Sequence, residues 1–294
     1  MAGGSAELPG QRLPPSVQEV TFVLPNFLVI GAAKAGTTSL YHYLRGHPQV
    51  FMSERKELNF FVENDGWVKG ASWYERQFEG AGDAVAVGEA SPNYTKHPAF
   101  PGVPERIAKL IPEARLIYLI RHPIERYRSG YLDEIRRGRQ RGPIEQTLVT
   151  NPGYLDASRY AMQIERYLEH FPREQLLVIT SEDLKHDRAA TMRVVHGFLG
   201  VEDITPASLT DELNRSEGQR VLRPLARRVR RLPGARAVGR LAPEASRRIG
   251  TRPLDLARAE LCADFEDRLR ALLRDDVRRL RSYLGEGFHG WGIA

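Results

Sequence analysis

Phe27 to Ile30 is an unbroken apolar run, and the chain leaves it through a glycine-rich turn, "GAAKAGTT". A short apolar run without alternation reads as a strand buried on both faces, and the segment from Thr37 onward as its helix. "AVAVGEASP" (Ala84 to Pro92) reads as a second strand that ends in polar residues. Next come a short helix from about Pro104, a strand from Arg115 to Ile120, and a helix begun by Pro123, a residue suited to the first turn. "QLLVITSEDL" (Gln175 to Leu184) reads as a further strand, set between two segments, "RYAMQIERYLEHFP" and "DRAATMRVVHGFLG", with apolar spacing near 3.6. Strands alternating with helices predict an α/β fold: a P-loop-like central parallel β-sheet flanked by helices, with right-handed crossovers and ligands at the carboxyl ends of the strands. After Leu213 the pattern turns to arginine-rich helical segments broken by "LPGARAVG" and "LAPEAS", then a long helix from about Leu256 to Leu284. The organisation expected is a flexible N-terminal arm over residues 1–24 and a single domain over residues 25–294, with residues 214–255 as a lid or subdomain.

Composition changes this picture little. At 294 residues, 41% hydrophobic and 27% charged, the chain has ordinary globular content and can bury a substantial core. Cys262 is the only cysteine, which excludes an intramolecular disulfide and a cysteine-based metal cluster. The first twenty residues have no basic start and no apolar core, and no run of 18 apolar residues occurs anywhere. A soluble, cytoplasmic protein is the expectation. Charge matters more: Gln219 to Pro253 carries eleven arginines against the single acid Glu244, so the net +6 of the chain is local to that stretch.

The turn after the first strand carries the first chemistry. Gly31 and Gly36 keep the G-x-x-x-x-G spacing of a phosphate loop, yet Thr37 and Thr38 stand where the usual motif has Lys-[ST], and the cation has moved upstream to Lys34. Backbone N–H groups of Ala35, Gly36, Thr37 and Thr38 at a helix N-terminus would cradle a phosphate, with the hydroxyls of Thr37, Thr38 and Ser39 beside them. The plain alternative is a tight turn with a surface lysine. A triphosphate enzyme would also need an acid for Mg²⁺ at a neighbouring strand end, whereas "RLIYLI" ends in Arg121-His122-Pro123. An arginine there argues for a second phosphate neutralised by protein. Ser129 lies eight residues on, so both meet one phosphate only if the chain curls between them.

"AAKAGTTSL", "KELNFF" and "LIRHPIERYRSGY", in that order, resemble the sulfotransferase family that uses 3′-phosphoadenosine 5′-phosphosulfate (PAPS), in particular the bacterial branch similar to heparan sulfate sulfotransferase domains. "SEDL" at Ser181 and the closing "DDVRRLRSYLGEGFHGW" extend the resemblance to Trp291. The resemblance implies that Lys34 to Ser39 form the 5′-phosphosulfate loop, with Lys34 at the bridging oxygen, and that Arg121 and Ser129 are the 3′-phosphate pair. It implies no metal ion. It also makes Glu57, before the aromatic pair Phe60 and Phe61, the catalytic base, since a carboxylate beside apolar groups holds its proton more tightly. A surface glutamate paired with Lys56 is the plain reading. Glu89 in "GEASPNY" is the rival base; some relatives have Lys directly after this glutamate, where this chain has Ala90, and no residue takes over that lysine's role.

In "LNRSEGQRVLRPLARRVRRL" the residues Val221, Leu222, Leu225, Val229 and Leu232 lie close to one face of a helix. Packing on the core is the default for such a segment. Relatives fold the chain after a motif like "NRSEG" over the nucleotide, which makes Arg220 a contact to PAPS, while an anionic acceptor or a membrane surface stays open as a peripheral partner. Nucleic acid is disfavoured because no aromatic residue interleaves these arginines. The aromatic stretch from Phe61 to Phe78, with Trp67, Trp73 and Tyr74, is expected to line or cover the acceptor pocket, or else to be core. The function expected is transfer of a sulfuryl group from PAPS to a hydroxyl, in preference to an amine, of a carbohydrate, lipid or small molecule. A P-loop kinase and a non-catalytic anion-binding module are the alternatives.

Overall fold

The structure is a computed structural model that describes residues 23–204, 220–222, 251–253, 255–285 and 287–294. Five parallel strands, β1 (Phe27–Gly31), β2 (Val50–Met52), β3 (Ala86–Ala90), β4 (Arg115–Ile120) and β5 (Leu176–Thr180), form one sheet in the order β2-β3-β1-β4-β5. All five residues of β1 and of β3 are buried, as expected of strands covered on both faces. β2 is the strand that periodicity does not reveal: three residues are too few to show an alternation or a run.

The crossovers are α1 (Thr37–Arg45), the short α2 (Ala71–Glu75), α3 (Val103–Leu110), α4 (Pro123–Arg137), the single turns α5 (Thr147–Thr150) and α6 (Gly153–Asp156), α7 (Tyr160–Leu168), α8 (Ser181–His186) and α9 (Arg188–Leu199), followed by a long α10 (Ala263–Leu284). The stretch read as one strand from Gln175 to Leu184 splits at Thr180, whose hydroxyl accepts the Asp183 N–H at 3.0 Å and so caps α8. The closing helix is shorter than its apolar pattern suggests: Leu256–Ala259 is a separate 3₁₀ turn, and α10 starts only after Cys262.

The arginine-rich segment departs from its helical reading where it is described. Arg220–Leu222 is a strand, β6, paired antiparallel with β7 (Thr251–Pro253) in the register Val221 to Arg252. Pairing between distant segments overrides a local helical pattern, because the ladder satisfies the same backbone groups while β-branched residues such as Val221 and Thr251 suit it. The rest of residues 214–255, and with it the lid reading, lies outside the described residues, as do residues 1–22 of the expected arm. Val23 and Leu24, the arm's last two residues, pack against the core.

A main core surrounds the sheet, and a second cluster joins α4 to α10 through Tyr127, Tyr131, Phe265, Leu269, Leu273 and Val277. One buried carboxylate locks this arrangement. Asp276 of α10, 4% exposed, accepts the backbone N–H groups of Ala161 and Met162, each at 3.0 Å, at the start of α7. Those donors have no acceptor inside their own helix. Tyr160 at the same helix start donates to the Arg121 carbonyl at 2.7 Å, so the cap is one bond removed from the end of β4. Asp276→Ala strands one buried and one part-buried donor and is expected to cost about 1–3 kcal/mol, read as a lower Tm in thermal unfolding. An unchanged Tm would show that the cap carries no stability.

Candidate active site

The turn from β1 to α1 is built on two glycines. A Cβ on Gly31 would overlap Thr95 Oγ1, and Gly36, the N-cap of α1, has φ +103°, a region costly for any residue with a side chain. Within the turn, the Ala35 N–H is already used by the Ala32 carbonyl at 3.1 Å and the Ser39 N–H by Gly36 at 2.9 Å. Ala35 is therefore not a free donor, whereas the N–H groups of Gly36, Thr37 and Thr38 have no intrahelical acceptor. The first turn of α1 carries no acid to offset its positive end.

One cavity of about 590 Å³ gathers most of the expected site. Lys34 to Ser39 line it from the loop, Arg121 and Ser129 from the end of β4 and from α4, and Glu57 from the loop before α2. Arg121 and Ser129 are parted by the start of α4 at Pro123, and the Arg121 backbone is pinned on both sides. Its carbonyl accepts from Tyr160, and the following N–H, that of His122, donates to Glu182 at 2.9 Å. Arg220 opens β6, but its side chain lies outside the described residues.

Further cations line the same cavity: Lys96 after β3, Arg136, Arg137 and Arg139 at the end of α4, and Lys185 on α8. Arg136 and Arg137 fall seven and eight positions after Ser129, the helical spacing that brings them to its face, a signal present in the sequence. Lys96 has no such signature. Burial holds the ammonium of Lys96 below the ordinary lysine range, helped by the charge of Arg126. Lys34 is likewise lowered by burial, against the pull of Asp133, whose carboxylate lies 3.6 Å away. Burial opposes ionisation of Asp133, yet hydrogen bonding from Arg136 and the nearby charges of Lys34 and Arg137 keep its carboxyl below the usual range.

The two glutamates sit in opposite surroundings. Glu57 has φ +62°, a side chain 49% exposed and an ion pair with Lys56 at 3.0 Å. It is not seated against apolar groups as its sequence neighbours suggest, because Phe60 and Phe61 turn into the core. Glu89 is fully buried, and its oxygens take hydrogen bonds from Ser91 (2.6 Å), Tyr94 (2.5 Å) and Tyr74 (3.4 Å). Desolvation raises its pKa to about 7 despite these bonds. A carboxylate so enclosed has no path to an acceptor, so Glu89 is no rival base in this geometry.

The aromatic stretch resolves as core. Tyr74 is buried and stacks on Phe60 with centroids 4.0 Å apart, Trp67 and Trp73 pack around that pair, and none of the four lines the cavity. A second cavity of about 260 Å³ adjoins the first, sharing Lys34, Lys96, Phe100, Asp133 and Glu134, and extends toward Asn151, Tyr154 and Asp156.

A cation-lined cavity over a strand-to-helix phosphate loop, at the carboxyl edge of a parallel sheet, is the architecture of nucleotide-handling α/β enzymes. The chain belongs to the sulfotransferase domain family, whose model matches residues 24–218. Bifunctional heparan sulfate N-deacetylase/N-sulfotransferase 4 of Mus musculus is 33% identical over 204 residues, covering 60% of this chain and 22% of that protein. Heparan sulfate glucosamine 3-O-sulfotransferase 3A1 of Homo sapiens is 29% identical over 258 residues, covering 83% of this chain and 61% of the relative. The chain thus spans less than two thirds of either relative. Among solved structures, a sulfotransferase from Alicyclobacillus acidocaldarius aligns with a TM-score of 0.68 at 25% identity, over 92% of this chain and 99% of that one.

Gly36→Ala forces a side chain into φ +103° at the loop's hinge and is expected to cost about 1–2 kcal/mol. Thermal unfolding would show the loss, and a Tm equal to that of the unmodified protein would contradict the strain argument.

Proposed function

We propose that the chain moves the sulfuryl group of PAPS to a hydroxyl, in preference to an amine, of a carbohydrate, lipid or small-molecule acceptor, in the manner of the bacterial branch of the family. The observation that carries this reading is the shared cavity: the loop, Glu57, and Arg121 with Ser129 come from three separate stretches of sequence and line one space. Its volume falls within the ordinary range of ligand pockets. Cations from two stretches, Lys34 in the loop and Arg121 beyond β4, suit a nucleotide with anionic groups at two positions. Arg220 remains part of the proposed contact set, and Lys96, Lys185, Arg136 and Arg137 join it. No metal ion is required by this assignment, since protein cations supply the neutralisation.

In this reaction Glu57 accepts the proton of the acceptor hydroxyl as its oxygen forms a bond to sulfur. The bond between sulfur and the bridging oxygen breaks, and the electron pair stays on the departing phosphate. Lys34 and the N–H groups of Gly36, Thr37 and Thr38 hold the charge that builds there, the kind of preorganised stabilisation that dominates such transfers. The acceptor reaches Lys34 from the adjoining smaller cavity. Relatives named for heparan sulfate support a glycan as its class. A cytoplasmic location, and peripheral membrane contact through the arginine-rich segment, complete the reading and rest on sequence.

Adenosine 3′,5′-diphosphate in the presence of a metal chelator should raise the Tm, by an amount equivalent to about 2.7 kcal/mol at one hundred times Kd, and Arg121→Ala should remove most of that protection. Protection by ATP with Mg²⁺ and none by the diphosphate would refute the reading. Lys34→Ala is expected to lower turnover by roughly 10²–10³ with the Tm retained, measured by transfer of labelled sulfate from PAPS.

A further inference from the structure

The buried glutamate that cannot serve as base is wired to the loop that carries the base. Ser91 Oγ donates to one Glu89 oxygen at 2.6 Å and accepts the Asn59 N–H at 2.9 Å. Tyr94 OH donates to the other oxygen at 2.5 Å and accepts the Phe61 N–H at 3.4 Å. The Glu57 N–H itself is held by the carbonyl of Ala90, the residue after Glu89, at 3.0 Å. Three backbone donors of the five-residue stretch 57–61 are thus fixed from the end of β3, two of them through hydroxyls whose orientation Glu89 decides. The stretch needs fixing: Glu57 and Asn59 both have positive φ, +62° and +51°, which residues with side chains adopt only when their surroundings impose it.

We propose that Glu89 is the positioning residue of the catalytic loop: its carboxylate, through Ser91 and Tyr94, holds residues 57–61 so that Glu57 faces the cavity. The inference rests on the reading of Glu57 as base. Its physical content is the polarity of the hydroxyls. Each has one proton to give. An ionised carboxylate accepts only, so both hydroxyls point their protons at Glu89 and turn lone pairs to the Asn59 and Phe61 N–H groups. A protonated Glu89 offers one donor. Where that donor faces Ser91 or Tyr94, the hydroxyl loses Glu89 as the acceptor of its own proton and divides its lone pairs between Glu89 and the backbone N–H, so that clamp loosens.

The groups facing Glu89 are Tyr74 from α2, Ser91 and Tyr94 from the turn after β3, Lys56 from the loop before Glu57, and Tyr167 from α7. Of these, Lys56 alone brings a positive charge, and it acts at longer range than the hydrogen bonds. Desolvation places the carboxyl's ionisation at about pH 7, so the relay changes state near neutrality.

The test follows the relay apart from the chemistry. In ¹H–¹⁵N NMR spectra of the full chain, the Asn59 and Phe61 amides are expected to shift together as the pH passes through about 7, and to stop doing so in Glu89→Gln. The amide of glutamine fixes one donor and one acceptor, imitating the protonated state at every pH. In sulfate transfer assays the same variant should lose about tenfold to a hundredfold in kcat, keep its KM for the donor and lack the limb near neutrality. Should Glu89→Gln fail to fold, Ser91→Ala removes one hydroxyl and leaves the carboxylate, with the Asn59 titration and the same share of kcat expected to go. Amides in the wild-type chain that do not titrate, or a Glu89→Gln enzyme with unchanged kcat and pH limb, would overturn the proposal. Titrating amides in a chain that transfers nothing from PAPS would support the relay and count against the sulfuryl-transfer reading alone.

Discussion

The parallel pairing of β1 with β3 on one side and β4 on the other is the constraint from which the site follows. Its ladders tie Phe27 to Gly88 and to Arg115, which brings the three strand ends to one edge. From β1 the chain moves through α1 to β2 on one side, and from β4 to β5 on the other, so the crevice between β1 and β4 lies where the connections diverge. Ligands of open α/β sheets sit at such a point. Lys34 follows one of these strands and Arg121 the other, while β3 supplies the anchors of the Glu57 loop. No side chain in the site has to reach far, because backbone hydrogen bonding has already placed its Cα.

That edge is also where positive charge accumulates, and the internal acids are arranged accordingly. Asp133 is shared by Lys34, Arg136 and Arg137, Glu125 lies between Arg121 and Arg128, and Glu134 holds Arg139. The more exposed of these pairs, those of Glu125 and Arg139, contribute little stability. Their effect is to keep several cations oriented around a space that an anion can enter, and an entering phosphate competes with carboxylates for partners already in place. The lowered pKa of Lys34 has the same origin: partial burial penalises the ammonium, and Asp133 only partly offsets this. An anionic ligand beside Lys34 would favour the charged form further, so binding and charging of the lysine support each other.

Much of this was legible in the sequence because its signals are local. The strand, the displaced lysine and Arg121 with Ser129 lie within short stretches whose spacing has a direct physical meaning, and the family resemblance covered them in order. What escaped depends on contacts distant in sequence. β2 is three residues long and is defined by its pairing with β3 rather than by its own pattern. Val221 and Leu222 fit a helical face, yet their partners are thirty residues away in β7. The aromatic residues between Phe60 and Phe78 have a composition equally suited to a pocket wall or a core, and only stacking on Tyr74 decides between them. Lys96 lines the cavity next to Thr95, whose hydroxyl is tied to the Ile30 carbonyl at the end of β1, a placement no spacing encodes. The environment of Glu57 is hidden for a related reason: adjacency in sequence to Phe60 and Phe61 says nothing about direction when Glu57 and Asn59 both have positive φ.

Glu89 shows how stability and activity pull apart at one residue. Its folded pKa, about 7, lies above the ordinary glutamate value, so the fold favours the protonated form. The sign follows: stability is greatest where Glu89 is protonated in the folded chain, and part of it is lost as the pH rises from the ordinary glutamate range through about 7. The loop clamp requires the opposite state, the ionised one, since only an acceptor-only carboxylate orients both hydroxyls toward itself. A neutral side chain of the same shape would relieve the buried charge and leave residues 57–61 less well held. A buried carboxylate next to a backbone strained at Glu57 and Asn59 is therefore understandable as a cost accepted by the fold for the direction in which one exposed glutamate points.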